Sequence, residues 1–320
     1  MKCTKPRIAA LLIAVLCIGQ DVGKESRAAE PAPAPAATSR YAATIAPAER
    51  FEVDGVLVER HGSRGRPLIL VPGLASGSWV WQDTIRAFAG EYTLYVLTLP
   101  GFDGRPAAGE QPFAAAQAAV QKLIAQRRLD KPVVIGHSLG GILGFALAED
   151  QPQLLGGVVS IDGLPVFPGT EDFPPQQRTQ QAATMRQRLA NIPAGAFAAQ
   201  QQGYMRTIGV LDMDKADELA KLTGRSDPAS VGRYTADVLA LDLRPGLKSI
   251  AAPVLVLAPY FDLDSQQQGL TEAAKLDYYR ALLEGVPRLQ VTGVAPARHF
   301  AMFDQPDKVR DAIRAFLRGL

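Results

Sequence analysis

Residues 132–149 constrain the fold of this 320-residue chain more than any other stretch. Pro132-Val133-Val134-Ile135 is a short apolar run, the pattern of a strand buried on both faces. Gly136-His137-Ser138-Leu139-Gly140 follows at once, and Leu139–Glu149 then reads as a helix. A chain that passes from buried strand to helix this quickly turns sharply and holds Ser138 exposed at the tip with a strained backbone. Side chains at the flanking positions would strike the adjoining strand and helix, which accounts for Gly136 and Gly140. The Leu139 N–H, at the helix N-terminus, points to where negative charge would develop on an oxygen attacked by Ser138.

The rest of the chain repeats this strand–helix grammar. Phe51–Glu59 alternates like an edge strand. Pro67–Val71, Tyr92–Leu99, Leu154–Ile161, Pro253–Leu257 and Leu289–Val294 read as strands. Helices are expected at Ser78–Ala89, Phe113–Gln126, Thr271–Glu284 and Pro306–Arg318, the last with Asp304 at an N-cap position. Such alternation gives an α/β fold with a mostly parallel, doubly wound sheet. Residues 164–246 break the pattern. They hold no good strand and fit four helices, Pro175–Ala190, Ala194–Ile208, Asp212–Leu222 and Pro228–Leu241. We read them as a helical cap inserted between late strands, because about 80 residues exceed what one crossover needs.

The N-terminus has a different character. Lys2, Lys5 and Arg7 precede an eleven-residue apolar run, Ile8–Ile18. That run is shorter than the ~20 residues of a membrane helix and suits a secretory signal peptide over 1–29, cut after Ala28 or Ala29. An uncleaved membrane anchor and lipidation at Cys17 are the minor readings. Glu30–Thr38 opens a Pro/Ala-rich linker over 30–49, ahead of a domain over 50–320. Removal of residues 1–28 takes away five Lys/Arg and two Asp/Glu, which leaves the net charge of +2 close to −1. It also removes Cys3 and Cys17, so the mature chain has no thiol nucleophile and no disulfide. The 47% hydrophobic content rules out a disordered chain, and the near-neutral charge argues against a dedicated nucleic-acid binder.

A nucleophilic Ser needs a base. His61 lies in a polar turn, and His137 sits inside the elbow, where it shapes the turn. His299 follows the strand Leu289–Val294, at the sheet end where ligands collect, and is the candidate base. An acid to orient it is expected just after Pro253–Leu257. Asp262 is favoured by its distance from the strand end, and Asp264 is the alternative acid. Asp162, in Ile161-Asp162-Gly163, is a third option that reads as a turn residue. The second oxyanion amide is expected at Leu74, in the loop after Pro67–Val71. Scattered His and no mature Cys argue against a metal site, and no dinucleotide fingerprint follows a strand. Trp79 and Trp81 are candidates for the pocket wall or the core.

In Pro72-Gly73-Leu74-Ala75-Ser76-Gly77, Gly136-His137-Ser138-Leu139-Gly140-Gly141 and the His299-Phe300…Asp304-Gln305-Pro306 segment, the chain resembles the α/β-hydrolase fold family, in its esterase/lipase-like branch with a helical cap. The resemblance spans about Phe51–Leu320. It implies a serine hydrolase that cleaves a small-molecule carboxylic ester through an acyl-enzyme, with Ser138, Asp262 and His299 as its triad, and the N-terminal pattern adds export (periplasmic or secreted). It implies Leu74 and Leu139 as oxyanion amides, no cofactor or metal, and no nucleic-acid or specific protein partner. C–C or amide hydrolysis and acyl transfer fit the same triad, and a non-catalytic ligand-binding homologue is a reading of a different class.

Overall fold

The computed structural model describes residues 39–266 and 269–320. The expected signal peptide and linker residues 30–38 lie outside the described residues. Linker residues 39–48 do not stand free. Ser39 is buried, Tyr41 packs edge-on against Phe303, and the Ile45 N–H donates to Gln82 Oε1 over 2.6 Å.

Eight strands follow: β1 (Glu49–Val53), β2 (Val56–His61), β3 (Pro67–Val71), β4 (Thr93–Thr98), β5 (Val133–His137), β6 (Gly157–Ile161), β7 (Val254–Pro259) and β8 (Leu289–Val294). They form one sheet in the order β1-β2-β4-β3-β5-β6-β7-β8. β1 and β2 are antiparallel, as are β2 and β4, and the remaining neighbours are parallel. The single edge strand expected over 51–59 is therefore a hairpin. Asp54 and Gly55 both take positive φ, 47° and 83°, the conformation of a two-residue turn.

The helices are α1 (Gln82–Phe88), preceded by a 3₁₀ turn at Ser78–Trp81, α2 (Pro112–Arg127) and α3 (Leu139–Asp150), then α4 (Pro175–Ala190), α5 (Ala194–Tyr204), α6 (Met213–Thr223) and α7 (Pro228–Ala240), and finally α8 (Asp262–Gln266), α9 (Glu272–Leu282), α10 (Ala301–Asp304) and α11 (Pro306–Arg318). α11 buries Val309, Ile313, Phe316 and Leu317, one apolar stripe at helical spacing. α3 is buried on every side and passes against the middle of the sheet.

α4 to α7 all fall between β6 and β7. Asp212 and Asp227 cap α6 and α7 by accepting the backbone N–H of Lys215 and Ser230 at 2.9 Å each. The expected helix over 194–208 stops at Tyr204 and widens into a π turn, Met205–Gly209. Trp79 and Trp81 are 3% and 0% exposed within the core, where the apolar sheet face beneath α11 takes up both rings.

Candidate active site

Ser138 stands between β5 and α3 with φ 50° and ψ −114°, a strained backbone for a residue with a side chain. The turn closes only because its neighbours lack a Cβ. A Cβ on Gly136 would lie 2.1 Å from the Gly140 carbonyl, and one on Gly140 would lie 2.1 Å from the Val71 oxygen. Gly136→Ala is therefore expected to cost more than about 3 kcal/mol of stability or to prevent folding, because both partners are backbone and cannot yield. Urea unfolding of the purified variant measures it, and a midpoint equal to the parent's would refute the fit.

The β3 loop comes close to the same serine. A Cβ on Gly73 would sit 3.3 Å from Ser138 Cβ, and Leu74 lines the cavity beside it. Leu139, the first residue of α3, has no carbonyl within the helix for its N–H. Leu74 and Leu139 thus flank Ser138 in the cavity wall.

His299 lies between β8 and α10, and its Nδ1 is 2.6 Å from Asp162 Oδ2. The carboxylate beside His299 is thus Asp162, in place of the expected Asp262 or its alternative Asp264. Asp262 is the exposed first residue of α8, turned outward once the chain has left β7. Asp264 makes a two-pronged ion pair with Arg298, at 2.7 and 2.9 Å. Asp162 directly ends β6, the strand next to β5, and its φ of 54° swings the carboxylate to the imidazole. In the sequence Asp162 stood only as a third option, at the end of the buried run Gly157–Ile161.

Asp162 Oδ1 accepts a hydrogen bond from the Tyr279 hydroxyl of α9. Burial works to raise the Asp162 carboxyl, but the His299 bond and charge, the charge of Lys275 and the Tyr279 bond outweigh it and hold the pKa below its ordinary value. Neither Tyr279 nor Lys275 stood out in the sequence, because nothing local distinguishes them on an amphipathic helix. Tyr279→Phe removes one lowering influence, so Asp162 should protonate at higher pH. The expected result is a kcat/KM about tenfold lower, with its acidic limb moved to higher pH. A limb that stays in place in the pH–rate profile would remove Tyr279 from the network.

The base loop is held from several sides. His137 Nε2 lies 3.0 Å from the His299 carbonyl, and burial first, then the charge of His299, presses its pKa down to about 3. His137 is neutral and acts as a donor to backbone. The π turn accepts the His299 N–H at the Ile208 oxygen (3.0 Å) and the Phe300 N–H at the Gly209 oxygen (2.9 Å). Asp304 does not cap α11, whose N-cap is Gln305. It accepts the Arg298 and Leu211 N–H at 2.9 and 3.0 Å, drawn inward to join base loop and cap.

Ser138 and His299 line one cavity of about 160 Å³. Its wall is Leu74, Leu139 and Ile142 from the body, and Leu189, Phe197 and Val231 from the cap. Among the described residues, no cluster of three His, Cys, Asp or Glu has metal-ligand geometry, and no helix is long and apolar enough to cross a membrane.

Residues 68–312 match the model of the alpha/beta hydrolase family. A biotin biosynthesis bifunctional protein of Cellvibrio japonicus is 27% identical over 255 residues, covering 79% of this chain and 48% of that protein. A pimeloyl-[acyl-carrier protein] methyl ester esterase of Aeromonas hydrophila is 30% identical over 119 residues, covering 37% of this chain and 46% of that protein. The chain thus spans about half the length of these two relatives. Among solved structures, a thermophilic esterase from Thermogutta terrifontis superposes with a TM-score of 0.69 at 21% identity, over 85% of this chain and 99% of that one. An enol-lactonase from Burkholderia xenovorans gives 0.66 at 17%, over 84% and 100%. At these identities the likeness is one of fold.

Proposed function

Because the chain belongs to the alpha/beta hydrolase family, we propose that it hydrolyses a carboxylic ester, with Ser138 as nucleophile, His299 as base and Asp162 as the orienting acid. The observation that carries this reading is the 2.6 Å His299–Asp162 contact beside a strained Ser138 in one apolar cavity. Esterases among the relatives and neighbours support the choice of ester.

The Asp162 carboxylate accepts Nδ1–H of His299 and so fixes the tautomer with Nε2 free to take a proton. His299 Nε2 removes the Ser138 proton as Oγ attacks the ester carbonyl. The Leu74 and Leu139 amides stabilise the oxyanion of the tetrahedral intermediate. The imidazolium, paired with Asp162, then protonates the departing alcohol. Water, deprotonated by His299 in turn, cleaves the acyl-enzyme and frees the acid. The cap excludes bulk water while this happens. The basic and apolar pattern of residues 1–29 supports export to the periplasm or medium.

The test combines a fluorophosphonate probe with a p-nitrophenyl ester series. The expected result is covalent labelling in the peptide that holds Ser138, with turnover that varies with acyl length. A folded protein that neither labels nor turns over any ester would overturn the reading.

A further inference from the structure

The cap covers the cavity with one helix whose polar groups have little to do. Gln200, Gln201 and Tyr204 of α5 all line the cavity opposite the body, and Tyr204 stands edge-on to His299 with ring centroids 6.1 Å apart. The remaining cap residues there are mostly apolar. The hydroxyls of Thr223 and Thr235 are spent on the backbone oxygens of Ala220 and Val231. Gln200 differs, because its Oε1 is buried with no hydrogen-bond partner among the described residues. A ligand group that pairs with this oxygen regains on binding the hydrogen bond it gives up to water. The terminal torsion of a glutamine is broad and soft, so a small rotation turns either amide atom toward a ligand.

The charge of the wall narrows what that ligand group can be. Asp162 is the one carboxylate in the wall among the described residues, and His299 and Tyr279 already engage it. No Lys, Arg or Glu lines the cavity among the described residues, so a substrate carboxylate, phosphate or ammonium would be desolvated there without a counter-ion. A neutral polar group loses far less.

Resting on the ester-hydrolase reading above, we infer that Gln200, with Tyr204 beside it, is a specificity site for a neutral hydroxyl or amide carried by the substrate a few bonds from the scissile ester. The substrate class is then an uncharged ester, apolar over most of its surface, with one such group directed at α5.

Three esters followed by pH-stat test this: methyl butyrate as the plain reference, methyl 3-hydroxybutyrate with the hydroxyl on the acyl side, and 2-hydroxyethyl butyrate with it on the alcohol side. The readout is the ratio of kcat/KM on each hydroxylated ester to that on the plain one. The parent should prefer one hydroxylated ester, and Gln200→Leu should lower that ratio about tenfold, the effect of one neutral hydrogen bond. Gln200→Met, unbranched and similar in length, should lower it likewise if the leucine variant folds poorly. Turnover of methyl butyrate with no preference in the parent, or a ratio unmoved by either variant, would overturn this site and leave the hydrolase reading standing. Failure on all three esters with no fluorophosphonate label would overturn both.

Discussion

Ser138→Ala is expected to lower kcat on p-nitrophenyl butyrate by about 10⁶-fold, and to abolish fluorophosphonate labelling, while the protein unfolds at the parent's temperature. The large effect follows from chemistry, because Ser138 is the one hydroxyl at the elbow among the described residues. The small effect on stability follows from geometry. Ser138 holds its place through backbone, accepting the Gly141 and Ile142 N–H at 2.9 and 3.1 Å and donating to the Ile161 oxygen at 2.8 Å. Its φ of 50° strains alanine and serine alike. Burst titration of active sites in the parent sets the scale, and residual activity above ~1% in the variant would sink Ser138 as nucleophile.

Asp162→Asn should lower kcat by about 10⁴-fold, and Asp262→Asn should leave it within about twofold of the parent. An asparagine amide at 162 offers His299 Nδ1 a donor as readily as an acceptor, so the imidazole is released into the tautomer that cannot accept the Ser138 proton. It also withdraws the negative charge that stabilises the imidazolium. Asp262 is the exposed first residue of α8, so its charge is screened by water. Asp264→Asn is the informative intermediate. It breaks the Arg298 pair beside the base and should reduce kcat modestly through misplacement of His299. Stopped assays with the three proteins side by side decide the matter, and a collapse in Asp262→Asn with Asp162→Asn near normal would reverse the assignment.

What the sequence revealed, and what it concealed, follows from the range of the forces involved. The elbow at Ser138 was legible because strand, glycines and helix are contiguous, so one local constraint writes five residues. The ends of α4 and α11 were legible because proline and apolar spacing act within a turn or two. Asp162 was not, since three carboxylates lie at plausible strand ends and only the three-dimensional approach of β6 to the loop after β8 selects among them. The hairpin at Asp54-Gly55 was missed because alternation persists through a two-residue turn. The π turn after Tyr204 was missed because it answers to the base loop nearly a hundred residues away, and nothing in its own composition announces it.

That π turn has a consequence for how the enzyme breathes. Its Ile208 and Gly209 carbonyls are bonded to the amides of His299 and Phe300, so this edge of the roof and the His299 loop move as one piece. Lifting the roof there would strand four backbone groups and carry the imidazole off the nucleophile in the same motion. Traffic through such a door would switch the reaction off at each passage. A path that spares this edge leaves the His299 loop in register from one turnover to the next.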